Sequence, residues 1–150
     1  MNESETRAEY IDPKLKLAGW GFVEGSKVLR EFRITDGKTQ TGGIRAKPES
    51  ADYVLVYKNQ KIGVIETKAE NLEATEGVAQ AKAYAEKLHI DYTYATNGKE
   101  IYAISMKNGE EGKIADFPTP DALWNYNVPS KREKVIQGDG KFFAHRPIII

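Results

Sequence analysis

Residues 52–68 read DYVLVYKNQKIGVIETK, and this stretch of the sequence decides the fold. Residues 52–57 are rich in β-branched and aromatic side chains, and residues 61–66 form a second apolar run. The polar residues 58–60 between the two runs indicate a turn. The pattern therefore predicts a β-hairpin whose turn contains three residues.

The predicted hairpin brings charged side chains together at its open end. With a three-residue turn, Tyr57 faces Lys61, and the same register places Asp52 opposite Glu66 with Cβ atoms about 4.5–5.5 Å apart. Side chains alternate along a strand, so Lys68 projects from the same face as Glu66. One face of the sheet is therefore predicted to carry two carboxylates and one ammonium group.

These groups form a candidate catalytic centre. Two neighbouring carboxylates repel each other unless a cation neutralises them. Mg²⁺ prefers carboxylate oxygens, so Asp52 and Glu66 are candidate metal ligands, and the backbone carbonyl of Thr67 is a candidate third ligand. A metal at this place activates water and binds a phosphoryl oxygen, and Lys68 adds a positive charge beside the attacking hydroxide.

The same residues also have a structural explanation. Asp52 begins a strand, Glu66 ends one, and Lys68 can pair with either carboxylate as a surface ion pair. However, the preceding apolar residues 62–65 predict burial, and a buried charge is costly unless it serves a purpose. Position along the chain therefore favours the catalytic interpretation, while the ion pair remains the alternative.

The sequence on both sides of the hairpin predicts the remaining elements. Helical spacing of apolar residues predicts helices over 4–17 and 71–89, the first with a kink or break at Pro13 and the second with a buried side. The apolar residues of that side are Leu72, Val78, Ala79, Ala83 and Leu88. Further strands are predicted over 28–34, 92–95 and 101–104. The predicted fold class is α/β, a mixed β-sheet flanked by helices.

Length and composition restrict the class of protein. The 150 residues suffice for a single domain, with a predicted core of about 4–106 and a C-terminal extension over 107–150. The chain has no cysteine, which agrees with a reducing cytoplasm, and its two histidines are too few and too far apart for a zinc site. No apolar run is long enough to span a bilayer, and the polar N-terminus lacks the order of a secretory signal, so no membrane partner is expected.

The charge balance argues mildly against a free-standing DNA-binding protein. The chain has 22 Lys and Arg residues against 22 Asp and Glu residues, whereas phosphate contacts normally require a positive surplus. Either the positive side chains cluster on one face, or other domains and subunits hold the DNA while this domain cuts it. We favour the second arrangement.

Several separate motifs carry a resemblance to a known family. Asp52 and the Glu66-Thr67-Lys68 group resemble the PD-(D/E)xK nuclease motif, in which a hairpin carries the site. Residues 45–55 and 63–69 resemble the N-terminal nuclease domain of the R (HsdR) subunits of type I restriction enzymes. Residues 80–84 resemble the QxxxY element that those domains share with RecB-type nucleases, and residues 6–12, 96–98 and 117–124 match too.

The resemblance implies further roles and partners. It implies a restriction-endonuclease-like core, Mg²⁺ (or Mn²⁺ in its place) as cofactor, and double-stranded DNA as substrate. Glu9 becomes an accessory acid, Gln80 and Tyr84 become supporting residues that also contact DNA, and Arg45 and Lys47 become candidate phosphate contacts. Without the family, Gln80 and Tyr84 form an ordinary helix face.

The resemblance also implies a larger assembly. The sequence lacks the P-loop pattern of a nucleotide-driven motor, so ATP is expected to act only through a translocase domain of the same subunit that is not present here. We therefore expect an excised domain that works with this translocase domain and with methylase and specificity subunits, and that has no sequence specificity of its own. The alternatives are a standalone nuclease of the same fold in repair or defence, and a non-catalytic docking module.

Overall fold

The computed structural model describes residues 2–35 and 49–127, which form one six-stranded sheet with helices on both faces. The elements in chain order are α1 (Glu3–Thr6), a π-helical turn (Arg7–Ile11), α2 (Asp12–Ala18), β1 (Ser26–Thr35), β2 (Glu49–Tyr57), β3 (Gln60–Thr67), a 3₁₀ helix (Ala74–Gly77), α3 (Val78–Leu88), β4 (Tyr92–Thr96), β5 (Ile101–Ser105), β6 (Glu111–Ile114) and α4 (Pro120–Asn127). The strands lie side by side in chain order.

The sheet is mixed, as the sequence predicts. All neighbouring strands are antiparallel except β3 and β4, which run parallel. A parallel pair needs a crossover connection, and the 3₁₀ helix and α3 supply it. Because β3 and β4 run parallel, their carboxyl ends meet at one edge, where α3 begins. The α/β class and the predicted order of helix, three strands, helix and two strands are confirmed.

The hairpin turn differs from the predicted one, although the register at the open end does not. The turn contains two residues, Lys58 and Asn59, with φ of 52° and 66°. Two positive φ values are typical of the type I′ turn, which matches the twist of the flanking strands. Tyr57 therefore faces Gln60 rather than Lys61.

A bulge restores the predicted register further along the hairpin. Val56 pairs with Lys61, whereas the next residue, Leu55, pairs with Gly63, so one extra residue lies in β3. Tyr53 then pairs with Ile65, as the three-residue turn predicted. The two differences cancel, because the shorter turn and the bulge each shift the pairing by one residue in opposite directions.

The N-terminal helix passes through Pro13 without a break. The chain is helical from Glu3 to Ala18, but the turn over Arg7–Ile11, directly before α2, is π-helical. Proline lacks an N–H and its ring collides with the carbonyl four residues earlier, so a wider turn accommodates it. The predicted break at Pro13 does not occur, and the irregularity is a widened turn just before it.

Apolar clusters cover both faces of the sheet. The larger cluster packs the N-terminal helix and α4 against one face, and the smaller cluster packs α3 against the other. The larger cluster is Ile11, Leu15, Trp20, Tyr53, Leu55, Tyr57, Ile62, Ile65, Tyr92, Tyr94, Ile101, Ala103, Phe117 and Leu123. The smaller cluster is Ala51, Val54, Val56, Val64, Tyr84 and Ile90. The hairpin contributes to both clusters, so its charged end emerges between two buried layers.

The buried side of α3 is not the predicted one. Ala81, Tyr84 and Ala85 are buried, whereas of the predicted residues Leu72, Ala79 and Ala83 are exposed and Val78 and Leu88 are half-buried. The predicted helix over 71–89 begins only at residue 74, as a 3₁₀ helix, so the apolar spacing counted from Leu72 does not continue into α3. The small residues allow α3 to approach the sheet closely, and Tyr84 is its one large buried side chain.

The core extends beyond residue 106, where the sequence pattern weakens. β6 pairs with β5, and α4 packs against β3. Phe117 and Leu123 are buried in the larger cluster. β6 and α4 were missed because β6 has only four residues and α4 eight, too short for a clear periodicity. Residues 128–150, the rest of the predicted extension, lie outside the described residues.

Replacing Leu123 with alanine tests this extension of the core. Leu123 is 0% exposed, and a Cβ built on Gly63 of β3 would lie 3.2 Å from its Cδ2 atom, so the side chain fills the space that this glycine leaves. We expect the substitution to reduce the free energy of unfolding by about 2–5 kcal/mol, as for other buried leucines. Chemical denaturation measures the change. Leu17→Ala is the control because Leu17 is 88% exposed, and equal losses in both variants would contradict the packing of α4.

Candidate active site at the open end of the hairpin

Asp52 lies on β2, and each of its oxygens accepts a hydrogen bond. The Nη1 atom of Arg7 lies 3.0 Å from Oδ1, and the backbone N–H of Thr67 donates to Oδ2 at 2.7 Å. Burial raises the pKa of Asp52 above its usual range, although the Thr67 N–H and the Arg7 charge act in the opposite direction. The second hydrogen bond fixes Asp52 beside the end of β3, as the predicted register requires.

Glu66 is the most strongly perturbed acid of the site. Its side chain is 7% exposed, and its Oε1 atom is buried without a hydrogen-bond partner. Burial, and then the charge of Asp52, raise the pKa of Glu66 to about 8. A carboxyl group in this environment resists ionisation unless a cation is supplied.

Lys68 lies next to Glu66 and against the start of α3. Its backbone N–H donates to the Thr96 carbonyl at 2.8 Å, which fixes the main chain between β3 and β4. Its aliphatic stem runs beside Gly77, where a Cβ atom would lie 3.5 Å from Lys68 Cγ and 3.6 Å from its Cε. The charge of Lys68 lowers the pKa of Glu66, although burial and Asp52 outweigh it. The structure thus places Asp52, Glu66 and Lys68 together.

Gln80 and Tyr84 of α3 lie near the same carboxylates. The side-chain amide of Gln80 donates to the hydroxyl oxygen of Tyr84. Tyr84 is buried, and burial raises its pKa, as do the charges of Glu66 and Asp52. The hydroxyl of Tyr84 is therefore within electrostatic reach of the candidate centre, and Gln80 holds it from the exposed side.

Two acids of the N-terminal helix, Glu3 and Glu9, differ in their electrostatic effect on the site. The charge of Glu3 raises the pKa of both Asp52 and Glu66. Glu9 is exposed in the π-helical turn, and neither carboxyl owes a shift to it. The accessory role of Glu9 therefore stays a prediction, and the charge of Glu3 also reaches the two carboxyl groups.

Sequence reasoning missed Arg7 and Glu31. The guanidinium of Arg7 contacts both β1 and β2. Its Nη1 lies 3.0 Å from Asp52 on β2, and its Nη2 lies 3.0 Å from Glu31 on β1. Arg7 lies more than 20 residues from either carboxylate along the chain, as their sequence separations of 45 and 24 show. No local spacing signals such a contact. Two other predicted residues, Arg45 and Lys47, lie outside the described residues.

The residues present fit a divalent cation held by few protein ligands. Asp52 and Glu66 would hold it, and the unpartnered Oε1 of Glu66 is an available oxygen. Within residues 2–35 and 49–127, no group of three or more Asp, Glu, His or Cys side chains is placed to hold a metal ion. The remaining ligands would be a backbone carbonyl such as that of Thr67, water or substrate, which suits Mg²⁺ because it usually keeps several waters.

No helix among the described residues has the length and apolar character that crossing a bilayer requires.

The sequence and the fold match known proteins. A family model described as the N terminus of the type I restriction enzyme R protein (HSDR_N) matches residues 31–118. The endonuclease subunit of the type I restriction enzyme EcoAI from Escherichia coli is 30% identical over 135 residues, 83% of this chain and 16% of that subunit.

A solved structure agrees with this match. It is a fragment assigned to an HsdR subunit of a type I restriction enzyme from Vibrio vulnificus, 35% identical, with a TM-score of 0.76 over 93% of this chain and 27% of that one. The chain thus spans a minor part of each relative. The fold is restriction-endonuclease-like, a mixed sheet flanked by helices. The chain belongs to the family of type I restriction enzyme R protein (HsdR) N-terminal domains.

Proposed function

We propose that this domain hydrolyses DNA phosphodiester bonds with a divalent metal, as the endonuclease part of a type I restriction enzyme R subunit. The observation that supports this most is the pair Asp52 and Glu66, two neighbouring carboxyl groups whose pKa values burial raises, with a lysine beside them. A structure that served packing alone would not need two poorly solvated acids side by side, because their ionised forms are costly.

Each residue of this group has a role in the proposed reaction. Asp52 and Glu66 bind Mg²⁺, which would supply Lewis-acid charge for the phosphoryl group and for activation of the attacking water. Lys68 places its ammonium beside the nucleophile and stabilises the charge that develops there. Tyr84, held by Gln80, orients the scissile strand from the α3 side. The negative charge of Glu3, which raises the pKa of both carboxyl groups, also favours cation binding.

The partners follow from the family and remain part of the proposal. The relatives are subunits of type I restriction enzymes, and this chain spans 16% of the EcoAI subunit. Since the net charge is zero, we propose that the translocase domain and the methylase and specificity subunits hold and select the double-stranded DNA. The domain itself then cuts without sequence specificity.

Metal binding by the isolated chain is the first test. We expect Mn²⁺, used in place of Mg²⁺, to bind in calorimetry and to raise the thermal midpoint. Asp52→Asn should abolish both effects because it removes one of two carboxylate ligands. Asp116→Asn is the matched control, since Asp116 is exposed and distant in sequence from the hairpin. Equal Mn²⁺ binding by the wild type and by Asp52→Asn would refute this metal centre.

One observation favours a non-catalytic docking module as the second candidate. Arg7 already supplies Asp52 with a counter-cation, so the described residues neutralise part of the site without a metal. A docking module should bind no Mn²⁺ and should still assemble with its partner subunits when Asp52 is replaced. Cleavage by the assembled enzyme that depends on Asp52 would exclude it.

A further inference from the structure

Arg7 lies between two carboxylates that differ in their surroundings. Its Nη1 contacts Oδ1 of Asp52 and its Nη2 contacts Oε2 of Glu31, each at 3.0 Å. The side chain of Asp52 is 13% exposed and that of Glu31 is 62% exposed. The contact with Asp52 is thus shielded, whereas the contact with Glu31 is open to solvent and contributes little to stability by itself.

The backbone of Glu31 is strained at this position. Its φ of 53° lies in the left-handed region, which a non-glycine residue in a strand rarely adopts. The neighbouring residues Arg30 and Phe32 pair with Tyr53 and Ala51 of β2, which places Glu31 across from Asp52. Exposed ion pairs are too weak to explain strain of this kind, and strained residues cluster at functional sites.

The contact between Arg7 and Asp52 also conflicts with a metal on Asp52. A guanidinium and a divalent cation at the same carboxylate repel each other, so the two compete for Oδ1. Arg7 has a second carboxylate within reach, and it is anchored in the π-helical turn, an irregular segment of the kind that often occurs at functional sites. Glu31 can therefore retain the arginine when Asp52 is taken by the metal.

On the basis of the proposed function, we propose that Arg7 is a positioning residue that occupies Asp52 in the metal-free domain and moves onto Glu31 when a divalent cation binds. Glu31 is the residue that retains Arg7 at the edge of the site. The arginine thus competes with the metal, and Glu31 weakens that competition.

Mn²⁺ affinity of the 150-residue chain tests this proposal without any measurement of cleavage. Arg7→Gln should bind Mn²⁺ about three- to fivefold more tightly than the wild type, because the competing cation is removed. Glu31→Gln should bind about two- to fivefold more weakly, because Arg7 then rests on Asp52 alone. In the double variant the effect of Glu31 should disappear, since it acts only through Arg7.

Two controls distinguish the proposed role of Arg7 and Glu31 from a general effect of charge and from misfolding of the variants. Arg30→Gln removes a neighbouring arginine that pairs with Asp12 at 3.1 Å, and it should change the Mn²⁺ affinity less than twofold. Glu31→Gly should weaken Mn²⁺ binding as Glu31→Gln does, while raising the metal-free thermal midpoint because glycine tolerates the positive φ. Glu31→Gly thus tests the loss of the Glu31 carboxylate in a protein whose folding is not weakened.

The two ways of failing are distinguishable. Wild-type binding of Mn²⁺ with unchanged or weaker binding by Arg7→Gln would overturn the role of Arg7 and leave the metal centre intact. A Glu31→Gln effect that persists in the double variant would overturn the role of Glu31. If neither the wild type nor Arg7→Gln binds Mn²⁺, the metal centre itself is overturned. The proposed movement of Arg7 from Asp52 to Glu31 is then overturned as well.

Discussion

Replacing Lys68 with alanine is expected to reduce DNA cleavage by the assembled restriction enzyme by about 10²–10³-fold, as the loss of one preorganised charge-stabilising group does in other enzymes. The charge of Lys68 acts on Glu66, and the stem of Lys68 runs beside Gly77, where the 3₁₀ helix meets α3. The measurement is the rate of double-strand cleavage by the complete enzyme with its longer R subunit. DNA binding by the same complex should be unchanged.

The matched control is Lys113→Ala. Lys113 lies on β6, is exposed and pairs with Glu100 at 3.1 Å, so its removal changes the charge equally without touching the site. Cleavage by the Lys68→Ala enzyme at the rate of the Lys113→Ala enzyme would contradict the catalytic role of Lys68. Lys68 would then have the structural role that the sequence also allowed, as a member of an ion pair with Asp52 or Glu66.

The metal-free domain should lose stability as the pH rises, and Glu66 should be the main cause. The folded-state pKa of Glu66 is about 8, above the ordinary value of 4.5, so the folded chain keeps a proton that the unfolded chain releases. Between these values the folded state binds more protons than the unfolded state, and its stability falls with rising pH. Below pH 4.5 the effect vanishes, and above pH 8 the full cost remains.

Glu66→Gln should therefore stabilise the metal-free domain at pH 9 by about 2–4 kcal/mol while leaving it nearly unchanged at pH 4.5. An amide has the same shape but does not ionise. Chemical denaturation with a chelator present, at pH values from 4.5 to 9, measures the difference between the two proteins. Glu86→Gln on the exposed side of α3 is the control. Parallel curves for wild type and Glu66→Gln would contradict a buried, reluctantly ionised Glu66.

The stability gained by Glu66→Gln should be accompanied by loss of metal binding. A carboxyl group that destabilises the domain until a cation arrives is typical of a functional site, since binding sites are often less stable than their surroundings. With Mn²⁺ present, the wild type should recover the stability that it lacks at high pH, and Glu66→Gln should not respond. This contrast connects the pKa of Glu66 to the metal that we propose for the site.

Much of the fold follows from local patterns in the sequence. The hairpin is predictable because two β-prone runs flank a short polar turn, and α3 because its helix formers continue over eleven residues. Strand alternation places Glu66 and Lys68 on one face, but the predicted pairing of Asp52 with Glu66 holds only because the shorter turn and the bulge in β3 offset each other. β6 and α4 have too few residues to show a period, so only their packing against β5 and β3 defines them.

The supporting residues are different, because they come from distant parts of the chain. The sequence by itself determined the mixed sheet, the helix before it and the three central residues, because these depend on patterns along the hairpin and its neighbouring elements. Only the tertiary structure decided that Arg7 contacts both Asp52 and Glu31, that Glu31 has a positive φ, and that the charge of Glu3 reaches the site. The angle at which the N-terminal helix packs on the sheet sets these contacts, and that angle depends on the whole apolar cluster beneath the helix rather than on any local motif.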